Sequence, residues 1–107
     1  MSTSGNEGVR VEPQGRVVIV GDIDVVSAAT IESALRQAEL SLPDPSSPVV
    51  IDVGGVRFID SSGLRILLAA SRRNELAGRR VSLHSPSSSL ERLLGITGTT
   101  AMFDLDL

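Results

Sequence analysis

The chain has 107 residues, of which 41% are hydrophobic and 21% charged, and its formal net charge is −3. This length and composition are typical of a single globular domain with one core, and they exclude a multidomain enzyme. Aromatic residues make up only 2% of the chain. The stacking platforms and the cationic surface of nucleic-acid-binding proteins are therefore missing, and we expect no direct nucleic-acid partner.

Several residue types that carry chemistry are also missing. The chain has no cysteine, a single histidine and no lysine, since all its cationic residues are arginine. These absences exclude thiolate catalysis, iron–sulfur clusters, the usual structural zinc sites, the P-loop lysine and Schiff-base catalysis. We expect no catalytic residue, no metal, no cofactor and no enzyme activity.

The first residues lack the features of a targeting segment. Residues 1–8 (MSTSGNEG) are small and polar, without the basic and apolar regions of a signal peptide. No apolar run approaches the roughly 18 residues that span a bilayer. We expect a cytoplasmic protein without membrane association, in which residues 1–8 are a flexible tail and residues 9–107 form a single domain.

The first elements are a hairpin and a helix. Residues 9–11 and 17–20 are rich in valine and predict two strands, and residues 13–15 between them have turn chemistry. Apolar residues at helical spacing over 28–42 predict the first helix.

Asp24 or Ser27 is the expected N-cap of this helix. The helix must end before residues 43–48, which contain three prolines. Residues 49–53 (VVIDV) are almost wholly apolar, a pattern typical of a central parallel strand covered on both faces. Asp52 within this strand is expected at an exposed end or hydrogen-bonded locally.

The second half of the chain continues the alternation. Leucines at helical spacing after residue 63 predict a helix that ends near Gly78, and residues 79–84 alternate as a strand. A short helix stops at Gly95, and residues 101–103 are expected to form a last strand. The sequence thus predicts an α/β fold: a mixed β-sheet with an initial hairpin, then alternating strands and helices, with the helices packed on the sheet.

One motif carries chemistry, at the junction of a strand and a helix. Asp60, Ser61, Ser62 and Gly63 follow an apolar approach, so two hydroxyls and a carboxylate lie where backbone N–H groups lack intrahelical partners. Phosphorylation of Ser61 would add a charge of about −1.5 to −2 at this helix start. Gly63 would let a partner backbone approach closely. The alternative is a simple N-cap followed by first-turn serines.

This motif resembles that of the STAS-domain anti-sigma factor antagonists, or anti-anti-sigma factors. The resemblance rests on residues 58–65 (FIDSSGLR), 20–24 (VGDID) and 94–96 (LGI), and it extends from about residue 9 to residue 103. It implies a STAS-like sheet and phosphorylation of the serine after the motif aspartate, here Ser61.

The resemblance also implies partners. The unphosphorylated form would bind an anti-sigma factor that is a serine kinase of the GHKL ATPase type, and so release a sigma factor. Phosphorylation at Ser61 would switch binding off, and a PP2C-type phosphatase would reset it. Loss of about 3 to 4 kcal/mol would weaken binding a few hundredfold. The expected partner-binding residues are Asp22, Asp24, Asp60, Ser62, Gly63 and Leu64.

Other hypotheses fit less well or stay open. A serine hydrolase would need a Gly-x-Ser-x-Gly elbow, which neither Ser61 nor Ser62 has, and His84 is more simply a solvated or core-edge residue. A receiver-like phosphoaspartate domain needs a lysine, which the chain lacks. Nucleotide binding needs a glycine-rich loop that cradles the phosphates, and the chain has no such loop. A STAS scaffold of a stress-signalling complex, or an accessory subunit of a transporter, shares the fold and is not separated by sequence.

Two surface features complete the predictions. Family members commonly have a further helix after the last strand, where this chain ends at Leu107. Either part of the sheet is less covered or that face is used for association, for example as a homodimer. The arginine pairs 72–73 and 79–80 are interpreted as solvated surface near a helix C-terminus, in preference to a docking patch for an anionic partner.

Overall fold

The computed structural model describes residues 8–106. Strands and helices alternate after an initial hairpin, as predicted. The strands are β1 (Gly8–Glu12), β2 (Arg16–Ile23), β3 (Val49–Ile59), β4 (Val81–His84) and β5 (Asp104–Asp106), and the helices are α1 (Ala28–Leu40), α2 (Ser61–Leu76) and α3 (Ser88–Ile96). Apart from Gly8, which opens β1, the predicted tail 1–8 lies outside the described residues, as does Leu107.

The strands form one mixed sheet in the order β1-β2-β3-β4-β5. β1 is antiparallel to β2, and the other neighbours are parallel. Because the parallel strands follow one another in one direction across the sheet, right-handed crossovers place the connecting helices on the same face. The core lies between that face and the helices, and its most buried side chains include Ile19, Leu35, Ile51, Leu67, Leu83, Leu90 and Leu94. The predicted fold class is confirmed.

β3 differs from its prediction in two ways. It is longer, since it extends to Ile59 and not only to residue 53, and it is covered on one face only. Val49, Ile51 and Val53 are buried, whereas Val50 and Asp52 between them are partly exposed on the opposite, open face of the sheet. The prediction of a strand covered on both faces is therefore wrong, and the valine-rich run reflects the preference of strands for β-branched residues. Asp52 accepts a hydrogen bond from Arg16 at 2.8 Å, so it is paired on this open face.

The last strand begins later than predicted. Residues 100–102 form a short 3₁₀ turn, and β5 follows at 104–106, parallel to β4. Phe103 between them is only 4% exposed, because its side chain packs into the core. The apolar residues at 101–103 thus mark a core contact and not a strand.

The arginines near the end of α2 are not simply solvated. Arg73 donates two hydrogen bonds to the carboxylate of Glu39 on α1, at 2.8 and 2.7 Å. Arg79 donates to the Oδ1 atom of Asn74 at 2.9 Å, and Asn74 is fully buried. The surface interpretation is therefore wrong for Arg73, which joins α2 to α1, and for Arg79, which holds the segment after α2 to the end of that helix. No helix in residues 8–106 is long and apolar enough to span a membrane.

Candidate functional site

The motif residues lie where β3 ends and α2 begins. Asp60 has an extended backbone and accepts the N–H of Gly63 on its Oδ1 atom at 3.0 Å, which is the geometry of an N-cap. The N–H groups of Ser61 and Ser62, in the first turn, have no acceptor within the helix. The predicted cap is confirmed, and the carboxylate of Asp60 is occupied by the backbone.

Ser61 is the accessible hydroxyl of the motif. Its residue is exposed, whereas Ser62 beside it is partly buried. In residues 8–106 no hydrogen bond holds the Ser61 hydroxyl. A modifying enzyme can therefore reach this oxygen without breaking a contact in the described part of the domain.

Gly63 is buried against the end of β2. A Cβ atom on Gly63 would lie 2.3 Å from the carbonyl oxygen of Ile23 and 2.6 Å from its Cγ2 atom. The same carbonyl accepts the N–H of Asp60 at 3.2 Å. The backbone that approaches Gly63 is thus the domain's own, and the interpretation of Gly63 as room for a partner backbone is wrong. Leu64 is also buried, at 8% exposure.

The loop between β2 and α1 is held by a hydrogen-bonded turn. The Oδ1 atom of Asp24 accepts the N–H groups of Val26 at 3.0 Å and Ser27 at 3.1 Å. The Ser27 hydroxyl donates to the carbonyl of Asp22 at 2.9 Å. Ser27 occupies the N-cap position of α1, but its side chain makes no capping bond there. Asp24 therefore organises the turn that leads into the helix.

Replacing Asp24 with alanine is expected to destabilise the domain by about 1 kcal/mol, because two backbone donors lose their acceptor. The matched control is Asp22→Ala, since Asp22 is exposed and lies 3.7 Å from Arg57 in a surface ion pair. That control should change stability by less than about 0.5 kcal/mol. Urea unfolding of both variants measures the difference, and equal losses would contradict a structural role for Asp24.

Comparisons with known proteins identify the family of this chain. A family model described as "Mlab, STAS domain" matches residues 8–104. The anti-sigma-B factor antagonist of Bacillus subtilis (strain 168) is 30% identical over 90 residues, which are 84% of this chain and 79% of that protein. The chain belongs to the STAS-domain family of anti-sigma factor antagonists.

Further comparisons match only part of the chain or its fold. The anti-sigma-F factor antagonist RsfB of Mycobacterium tuberculosis is 38% identical over 55 residues, which are 51% of this chain but only 43% of RsfB. The structure of unphosphorylated SpoIIAA, an anti-sigma factor antagonist, has a TM-score of 0.63 at 21% identity, covering 82% of this chain and 80% of that chain. The murine anion transporter Slc26a9 reaches 0.70 at 16% identity, over 88% of this chain and 16% of the transporter. These two likenesses show the fold alone.

His84 takes no part in the STAS motif. Its Nε2 atom lies 3.1 Å from the Oδ2 atom of Asp106 on the neighbouring strand. No hydrogen bond joins His84 to Ser61 or Ser62 in the described residues, so the pairing that a serine hydrolase needs is not found there. Nor does the described part of the chain hold a cluster of residues suited to a metal ion.

Sequence reasoning missed three exposed apolar side chains, two in the loop after β2 and one near the end of β3. Val25 and Val26 are 72% and 87% exposed in the loop after β2, and Phe58 is 55% exposed on β3. A signal was available for the valines. They lie after Asp24 and before Ala28, where the helical spacing of apolar residues begins, so they are not part of the buried face of α1.

Proposed function

We propose that the protein is an anti-sigma factor antagonist whose binding to an anti-sigma factor is switched off by phosphorylation of Ser61. The observation that carries the proposal is the position of Ser61. It is an exposed serine at the first position of a 16-residue helix, in the motif Asp60-Ser61-Ser62-Gly63 of a STAS domain. The relatives named as antagonists of anti-sigma factors support the same role.

The helix start explains why phosphorylation would act on binding and not on folding. A phosphate on Ser61 would meet the positive end of α2 and the N–H groups of the first turn, so the free domain tolerates the dianion. In a protein interface the same dianion must lose its water, which is strongly unfavourable unless the partner compensates its charge. A penalty of about 3 to 4 kcal/mol weakens binding a few hundredfold.

The other motif residues would serve this surface in two ways. Asp60, Gly63 and Leu64 position Ser61, since they cap the helix or pack in the core. Asp24 shapes the neighbouring loop. Asp22 and Ser62 would contribute contacts with the partner, because Asp22 is exposed and Ser62 partly so.

The chemistry of the switch would reside in the partners. The domain would supply the acceptor hydroxyl, and the anti-sigma factor, a serine kinase of the GHKL ATPase type, would transfer the phosphoryl group to it. A PP2C-type phosphatase would remove it. The domain itself would need no catalytic residue and no cofactor.

The test uses each serine-kinase anti-sigma factor of the source genome, purified singly and titrated calorimetrically with the antagonist. Ser61→Ala should bind one of them persistently and accept no phosphate from ATP, while Ser61→Glu should bind it a few hundredfold more weakly than wild type. Ser62→Ala is the matched control and should still be phosphorylated. Phosphopeptide mass spectrometry locates the modification. Phosphate at Ser62 alone, or at neither serine, would contradict the proposal.

A STAS scaffold or transporter subunit without sigma-factor control is the second candidate. The fold is shared with the transporter Slc26a9, so architecture does not separate the two functions. The exposed serine in the motif favours the switch. Absence of binding to every anti-sigma factor of the genome would favour the second candidate.

A further inference from the structure

We infer that Val25 and Val26 form an apolar anchor for the anti-sigma factor, the partner whose binding depends on whether Ser61 is phosphorylated. We call these two residues the valine pair. The inference rests on the proposed function and adds the chemistry of the partner, whose surface must offer an apolar pocket to this loop.

The exposure of the valine pair has no explanation within the fold. Val25 is 72% exposed and Val26 87% exposed. Single exposed apolar residues are common on proteins, but here two branched apolar side chains are adjacent in one loop. The turn of Asp24 and Ser27 depends on backbone and polar side-chain atoms, so it does not require valine at either position.

The loop that carries the valine pair is already ordered. The N–H of Val26 donates to Asp24, and the N–H of Asp24 donates to the Ser27 hydroxyl at 3.0 Å. Binding a partner therefore costs little conformational entropy in the loop, so burial of the valines contributes to affinity. Val26 also borders a groove of about 470 Å³, whose lining includes Asp22, Asp24 and Thr30.

The valine pair belongs to the same surface as Ser61. Ile23, directly before the loop, accepts the N–H of Asp60 at 3.2 Å and packs against Gly63. These contacts fix the loop to the first turn of α2. A partner seated on the valines would cover the helix start as well, and an apolar interface is where an uncompensated phosphate is most unfavourable. The anchor therefore explains why phosphorylation would have a large effect.

The chain provides a matched control at the far ends of the two helices. Leu40 at the end of α1 and Leu76 at the end of α2 are 88% and 90% exposed, as much as Val26. α1 begins at Ala28, directly after the loop of the valine pair. Leu40 lies twelve residues further along the helix, which corresponds to a rise of about 18 Å. Substitutions at these leucines remove the same kind of surface away from Ser61.

The experiment measures affinity for the anti-sigma factor that binds the wild-type protein in the titrations described above. Val25→Ser combined with Val26→Ser should weaken binding at least about tenfold, and Leu40→Ser combined with Leu76→Ser less than about twofold. Val25→Thr combined with Val26→Thr keeps the branched shape and decides the question if the serine variant is unfolded in circular dichroism.

The outcomes separate the two proposals. If the valine variants bind like wild type while Ser61→Glu loses binding, the anchor is wrong and the switch stands. If Ser61→Glu binds like wild type, or no anti-sigma factor binds, the proposed function fails and the anchor with it. If sedimentation shows a wild-type dimer that the valine variants dissociate, without a change in partner affinity, the pair is a self-association contact and the inference is overturned.

Discussion

Replacing Gly63 with alanine is expected to destabilise the domain by about 3 kcal/mol and to lower its melting temperature by more than about 10 °C. The added methyl group would lie 2.3 Å from the carbonyl oxygen of Ile23. That oxygen belongs to the backbone of β2 and also accepts the N–H of Asp60, so it cannot move aside as a flexible side chain would. To relieve this steric clash, α2 must move away from β2, and this movement also displaces Ser61.

Gly95→Ala is the control for helix propensity. Gly95 lies in α3, and a Cβ atom there would have nothing within 4 Å. Alanine at this position should stabilise the domain by about 0.5 to 1 kcal/mol, because it restricts the unfolded chain and favours the helix. Thermal unfolding of both variants compares them directly. A Gly63→Ala protein as stable as wild type would show that the contact with Ile23 does not constrain the fold.

The order of the elements could be predicted because each leaves a local pattern. The leucine spacing of α2 and the turn chemistry between β1 and β2 are visible within about a dozen residues. The coverage of β3 could not be predicted in this way. It depends on the strand order β1-β2-β3-β4-β5, which sends all three helices to one face, and a run such as 49–53 looks the same on an open sheet.

In the candidate site, too, contacts between residues close in sequence could be predicted, whereas contacts between distant residues could not. The cap formed by Asp60 on Gly63 spans three residues and was visible in the sequence. The burial of Gly63 by Ile23 joins residues 40 positions apart. The pairing of Arg73 with Glu39 joins residues 34 apart. Such contacts are set by how α2 docks on β2 and α1, so the sequence alone led to a partner role for Gly63 and a solvated role for Arg73.

Replacing Glu39 with alanine is expected to destabilise the domain by about 2 to 3 kcal/mol near neutral pH. The carboxylate accepts both Arg73 hydrogen bonds and one from Asn74 at 3.0 Å, and the side chains of Glu39 and Arg73 are 9% and 25% exposed. Its removal leaves a half-buried guanidinium without its counter-charge. The partial exposure of Arg73 keeps the loss below that of a fully buried ion pair.

The pH dependence distinguishes this ion pair from a packing effect. Burial acts to raise the pKa of Glu39, but the hydrogen bonds from Arg73 and Asn74 and the nearby guanidinium charges outweigh it, so the pKa lies below its ordinary value of 4.5. A lowered pKa contributes stability that is present above pH 4.5 and is lost as the pH falls through the folded-state value.

The stability difference between wild type and Glu39→Ala should therefore shrink in that acid range, as measured by urea unfolding from pH 7 to pH 3. Glu32→Ala removes the exposed partner of Arg36, 3.4 Å away on the same helix, and should cost less than about 0.5 kcal/mol at any pH. A Glu39→Ala deficit that stays constant down to pH 3 would assign the effect to packing of the side chain and not to its charge.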